Sequence, residues 1–156
     1  MSKPKAVEIL NRKASFSYEI LDSLVAGIML TGTEVKSIRA GGGSIQEAYC
    51  IFRNGELFIR QMNIPVYSHG NIQNHEPLSV RKLLLKKREM ERLEAKVKER
   101  GISIIPLRIF FNERGFVKIE IALARGKKSF DKRESIKKRE SKVELNRVKK
   151  MVNRKG

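Results

Sequence analysis

Two histidines and a single cysteine are the residues of this 156-residue chain best suited to acid–base, nucleophilic or metal chemistry. His69 and His75 lie six apart in one polar stretch, "PVYSHGNIQNHEPLSV" (65–80). That is no metal spacing, and no second cysteine or carboxylate cluster completes a ligand set, so neither a metal nor a cofactor is implied. Paired histidines on a basic surface could cleave RNA by acid–base chemistry, which keeps a basic ribonuclease as a distant alternative. For His75 a loop hydrogen bond or an RNA contact is the stronger reading. Cys50, within "AYCIF", reads as a buried small hydrophobe rather than a reactive thiol. A lone cysteine excludes an internal disulfide framework and fits a reducing cytoplasm. "GGGS" (41–44) lacks the Gly-Lys-Ser/Thr ending of a phosphate-binding loop and reads as a helix stop and turn. Catalysis is therefore not the expectation.

What remains is charge. Lysine and arginine number 34 against 17 acids, a formal net charge of +17. Residues 125–156 hold 14 basic and 4 acidic residues, so more than half the excess lies in the last fifth of the chain. Such a field calls for a polyanion, and nucleic acid is the usual one. An anionic membrane surface would want an amphipathic helix with large apolar residues on one face. No apolar run approaches the ~18 residues of a membrane helix, and "MSKPKAVEIL" has no signal-peptide core. On the body the cations cluster at Arg12–Lys13, at Lys36 and Arg39, and at Arg81, Lys82, Lys86, Lys87 and Arg88. Each cluster alone fits a solvated face; three clusters and a tail point to a polyanion. Glu34 stands out among them. Either it favours a helix N-terminus, or its carboxylate accepts from a base amino group.

The elements that must position these groups are mostly strands. "SFSYEIL" (15–21) alternates, and "VAGIML" (25–30) follows the polar break Asp22–Ser23, which predicts a hairpin. "GTEVKSIRAGGG" predicts a short helix with Thr33 as N-cap, Glu34 in its first turn and a stop at Gly41. "AYCIFRNGELFIRQM" predicts a hairpin turning at Asn54–Gly55, the pair favoured where both central residues need positive φ. "KLLLKKREMERLEAKVKER" (82–100) predicts the one long helix. Its stripe is Leu83, Met90, Leu93 and Val97, with a Glu94–Lys98 pair and Gly101 as cap. "ISIIPLRIFF" and "FVKIEIALA" predict a last hairpin through "NERG", with Pro106 marking an edge or a bulge.

About six antiparallel strands with hairpin connections predict a small, closed, mainly β barrel with flanking helices. An oligonucleotide-binding-like barrel over residues 1–124 leads; an open α+β sandwich is the alternative. Residues 125–156 form a basic tail. Its apolar residues are too sparse for a stripe, and high charge with little apolar area cannot offset ordering entropy of ~1–2 kcal/mol per residue. Disorder when free, and a helix against a neutralising partner, are the expectation.

"NRKASFSYEIL", "GIMLTGTEVKSIRAG", "HGNIQNHEP", "RKLLLKKREMERL" and "ARGKKSFDKRE" strongly resemble the SsrA-binding (small protein B) family, the partners of transfer-messenger RNA. The likeness runs in order from about residue 8 to 140. It implies a six-stranded oligonucleotide-binding-like barrel. It also implies a soluble, non-enzymatic, cytoplasmic adaptor, one per RNA, that binds the tRNA-like domain of transfer-messenger RNA. That complex enters the vacant A site of ribosomes stalled on truncated messages, and trans-translation rescues them. By motif, the resemblance assigns RNA contacts to Asn11, Arg12, Lys13, Glu34, Lys36, Asn74, His75, Arg81 and Lys82. It assigns Lys127, Lys128, Phe130, Asp131, Lys132 and Arg133 to the ribosome, with the tail helical in the empty message channel of the small subunit. Phe130 stands where the family often has Tyr or His, and Lys86 where it often has His. A structural ribosomal or general RNA-coating protein is the competing reading from another class.

Overall fold

The computed structural model describes residues 7–67 and 74–127. The elements run β1 (Glu8–Leu10), α1 (Ala14–Ser17), β2 (Tyr18–Ile28), α2 (Gly32–Arg39), β3 (Tyr49–Arg53), β4 (Glu56–Arg60), β5 (Arg81–Leu84), α3 (Lys87–Val97), β6 (Ile102–Phe111) and β7 (Val117–Gly126). All pairings are antiparallel. β2 joins β5 and β7, β5 joins β4, β4 joins β3, β3 joins β6, and β6 returns to β7. Six strands therefore close a circuit, with the β3–β6 seam joined at the single pair Cys50↔Ile104, and β1 adds to the far half of β6. This is the expected barrel rather than the open sandwich.

Alternation explains the interior. Leu57 and Ile59 of β4, Leu83 of β5, Ile104 and Ile109 of β6, and Ile119 and Ile121 of β7 are fully or almost fully buried. Their neighbours in sequence point outward, as the period of two requires. The far end of β7 is buried on both faces. Ala122 and Ala124 pack outside the barrel with Ala14 and Ile105, and their small side chains let α1 lie close. Asn54 and Gly55 both have positive φ (53° and 76°), and the β3–β4 register runs unbroken from Arg53↔Glu56 to Tyr49↔Arg60. Pro106 sits at a register shift in the β6–β7 pairing, the expected bulge. Gly43 has φ 140°, and a Cβ there would stand 2.9 Å from Ile9 Cδ1.

Three local expectations are corrected. Residues 15–30 are not a hairpin: Ser15–Ser17 belong to α1, and Tyr18–Ile28 is one strand running along β7. The polar break is a bulge between Ile20 and Asp22, where the Asp22 carboxylate accepts from Ser23 N–H (2.8 Å) and meets Arg92 of α3 (3.3 Å). The N-cap of α2 is Thr31, two residues before Thr33, and Glu34 is the third helical residue of a capping box. The long helix is shorter than expected. Arg81–Leu84 form β5, and only Lys87–Val97 are helical. Leu83 still reaches the core with Met90, Leu93 and Val97, but it does so from a strand opposite Leu57. Pairing on both sides overrides the helix propensity of the Lys/Leu run. At the helix end the ion pair joins Lys96 to Glu99 rather than Glu94 to Lys98.

Candidate nucleic-acid interface

α2 begins with a reciprocal cap. Glu34 N–H donates to Thr31 Oγ1 (3.4 Å), and Thr31 N–H donates to Glu34 Oε1 (2.9 Å). The other carboxylate oxygen, Oε2, accepts from Arg81 Nε. Both side chains are almost wholly buried, at 5 % and 2 % exposure. A buried ion pair is tolerable only where the remaining donors are satisfied, and here they are. Arg81 Nη1 donates to Met62 O (2.7 Å), while Nη2 donates to Glu76 O (3.2 Å) and Pro77 O (3.0 Å). The planar guanidinium fork thus fastens the start of β5, the N-terminus of α2 and the segments on either side of the 68–73 stretch to one point.

His75 adds a second clamp. Its Nε2 lies 2.8 Å from Ile64 O, which can only accept, so Nε2 carries the proton and Nδ1 accepts from the Thr33 hydroxyl (2.9 Å). Asn74 pairs with the Tyr67 backbone like a strand neighbour, donating to Tyr67 O (2.8 Å) and accepting from Tyr67 N–H (3.3 Å). Ser37 Oγ donates to Pro65 O (2.7 Å). Lys36 remains exposed with its ammonium 5.8 Å from the Tyr67 ring centre. Glu34, Lys36, Asn74, His75 and Arg81 are therefore one cluster, apart from Asn11, Arg12, Lys13 and Lys82. Within it, Glu34 and Arg81 are internal braces, and Lys36 is the cation that faces solvent.

The "NRKA" residues form a separate patch. Asn11 Nδ2 donates to Pro106 O (2.8 Å) across the β6 bulge, while its Oδ1 is buried without a partner among the described residues. Arg12 is exposed, and Lys13 forms an exposed ion pair with Glu47 (2.9 Å). Lys82 leaves β5 on the face opposite Arg81 and pairs with Glu56 (2.9 Å). Lys127 donates its backbone N–H to Ser17 O (3.0 Å) and its ammonium to Ser15 O (2.9 Å), just past the end of β7. His69, Lys128, Phe130, Asp131, Lys132 and Arg133 lie outside the described residues. Burial pushes the Cys50 thiol far above its ordinary pKa, which makes it a core residue and not a nucleophile. Among the described residues no helix is long and apolar enough to cross a membrane.

Thr33 and Tyr67 escaped the sequence reading as members of the cluster. The spacing Thr31-x-x-Glu34 is the capping-box signal that places the cap at Thr31 instead of the expected Thr33. The contacts of Thr33 with His75 and of Lys36 with Tyr67 carried no local signal.

A closed antiparallel barrel with cations displayed around a braced helix end defines a nucleic-acid-binding β-barrel protein of the oligonucleotide-binding kind. The family model "SmpB protein" matches residues 8–151. A Cytophaga hutchinsonii SsrA-binding protein is 56 % identical over 144 residues, covering 92 % of this chain and 94 % of that one. A Thermosipho africanus SsrA-binding protein is 52 % identical over 136 residues, covering 87 % and 91 %. Among solved structures, one chain described under "tmRNA-SmpB: a journey to the center of the bacterial ribosome" shares 44 % identity. Its TM-score is 0.70, over 84 % of this chain and 95 % of that one. The chain belongs to the SmpB family of SsrA-binding proteins.

Proposed function

We propose that this protein binds the tRNA-like domain of transfer-messenger RNA and delivers it to stalled ribosomes for trans-translation. The observation that carries this reading is the family match over residues 8–151, joined to the ribosomal context of a 44 %-identical relative. The protein acts as an adaptor, without catalysis, in the cytoplasm where ribosomes translate, as one copy per RNA. Its affinity comes from cations on a rigid surface, since phosphate contacts position an RNA and braced polar groups select it.

In this reading Arg12, Lys13, Lys36 and Lys82 supply the cations of the RNA-facing body, and Asn11, Asn74 and His75 shape it through their bonds to Pro106, Tyr67, Thr33 and Ile64. Glu34 and Arg81 serve that surface from behind, because both carboxylate oxygens and all three guanidinium nitrogens are already engaged within the protein. The barrel runs to the end of β7 at Gly126, two residues past the expected boundary at 124, and the segment beyond it is the tail, which folds into a helix in the empty message channel. Lys127, Lys128, Phe130, Asp131, Lys132 and Arg133 open that segment toward the decoding centre. Sequencing the RNA that co-purifies with the protein tests the reading. One small structured RNA with a tRNA-like end is the expected outcome; recovery of bulk rRNA in high-salt subunits would replace it with a structural ribosomal protein.

A further inference from the structure

The outer face of β3, β4 and β5 carries a set of side chains that neither the core nor the α2 cluster uses. Tyr49, Ile51 and Arg53 alternate outward along β3, and Phe58 and Arg60 do so along β4. Strand pairing sets Tyr49 beside Arg60, Ile51 beside Phe58, and Phe58 beside Lys82. Paired residues on one face stand about 4.5–5.5 Å apart at Cβ, so each aromatic ring has a cation as neighbour. Tyr49 is 38 % exposed, and Phe58 is half-buried. Arg53 and Arg60 are exposed and have no ion-pair partner among the described residues, unlike Lys82 with Glu56. A shallow hollow of about 160 Å³ lies among Ile51, Arg53, Phe58, Arg60 and Val80. Beside it, β3 and β6 pair at a single position, Cys50↔Ile104, and the seam opens into a cleft of about 640 Å³ bordered by Tyr18, Tyr49, Ile51 and Ser103.

We infer that this face is a second RNA-contact surface, which takes unpaired nucleotides: bases stack on Tyr49 and Phe58 while Arg53 and Arg60 neutralise phosphates. Rings interleaved with unpaired guanidiniums on a sheet are what a single strand requires, since every base offers a π-face and every linkage a negative charge. An acidic protein would use the arginines but leave the rings idle. The face points away from the α2 cluster because successive residues of β5 project oppositely: Arg81 goes inward to Glu34, and Lys82 outward to Glu56, while Lys82 and the cleft residues Asn11 and Lys13 mark where it adjoins the proposed tRNA-facing body. This inference rests on the proposed RNA-binding role and extends it to a second, single-stranded partner region.

The test uses the full chain, a bromouridine-substituted oligouridine and the tRNA-like RNA domain. Tyr49→Ala and Phe58→Ala are expected to weaken oligouridine binding about tenfold or more each, and Tyr49→Phe to retain it. The tRNA-like RNA affinity should hold in all three. Photocrosslinks should map to the peptides containing Tyr49 or Phe58. If Phe58→Ala unfolds, the double reversal Arg53→Glu/Arg60→Glu, on exposed positions, should abolish oligouridine binding in its place. Unchanged oligouridine affinity in Tyr49→Ala overturns the inference. So does equal loss of the tRNA-like RNA, which would merge the two surfaces. Displacement by polyglutamate as effective as by RNA would overturn it in favour of an acidic partner. A wild-type chain that binds oligouridine but not the tRNA-like RNA would refute the proposed function and leave this surface standing.

Discussion

Glu34 and Arg81 lie 47 residues apart in sequence and meet as a buried ion pair that joins the N-terminus of α2 to the first residue of β5. Arg81 is the hub, since the same guanidinium also holds three backbone carbonyls, at Met62, Glu76 and Pro77. A surface that recognises RNA must keep its cations in fixed register, and this pair supplies that rigidity from below.

Removing one partner strands the other. Glu34→Ala should cost about 3–5 kcal/mol by leaving a buried guanidinium without its carboxylate. Melting temperature and specific RNA affinity should fall together. The double variant Glu34→Ala/Arg81→Met should be less destabilised than the sum of the two singles, because the residues share one interaction. Thermal unfolding of the four proteins checks this; strict additivity would dissolve the pair as an energetic unit.

Lys36→Ala should behave in the opposite way. Its side chain is exposed beside Tyr67, so melting should change little while RNA binding weakens. If about six phosphates are neutralised, affinity should drop roughly a thousandfold between 50 and 200 mM salt, and the variant should lower the log–log slope by about one. Fluorescence titration across salt concentrations measures both. A salt-insensitive complex would count against the electrostatic account.

The chain should tolerate removal of its end only up to a sharp point. Arg125 and Gly126 still pair with Glu19 and Tyr18, and Lys127 bonds to Ser15 and Ser17. Truncation after Lys127 should therefore leave melting and binding to the tRNA-like RNA intact while abolishing peptide tagging on stalled ribosomes. Truncation after Ala124 should lower the melting temperature as well. Loss of RNA binding on the shorter deletion would refute the division between barrel and tail.

Cys50 gives a pH-linked prediction. Burial raises the thiol pKa in the folded state, so the unfolded chain loses the proton first. The stabilisation is complete below the ordinary thiol pKa, near 9.0, and declines as pH rises past it. Cys50→Ala should remove that alkaline decline, and the native thiol should resist alkylation at pH 8 until the protein unfolds. Rapid alkylation of the folded protein would show that the thiolate is accessible.

Local signals were legible without the fold. Asn54–Gly55 specified its turn because few residues accept two successive positive φ values. The alternation of "FVKIEIALA" marked a strand, Pro106 marked an edge or a bulge, and Glu34 marked the first turn of α2, although its cap is Thr31 rather than the expected Thr33. The motifs also carried the family. Three features were decided only by tertiary structure. Lys82–Leu84 read as the start of a helix and became part of a strand, because the circuit needed a member between β4 and β2, and two ladders outweigh a few tenths of a kcal/mol of propensity per residue. Asp22–Ser23 read as a turn and became a bulge, because β7 offered a continuous partner. Arg81 read as a surface cation and became a core residue. Its partners come from positions 34, 62, 76 and 77, and only chain closure brings a carboxylate and three carbonyls to one guanidinium. Sequence determines what each segment can do locally; which charges are buried is settled by contacts between segments far apart in the chain.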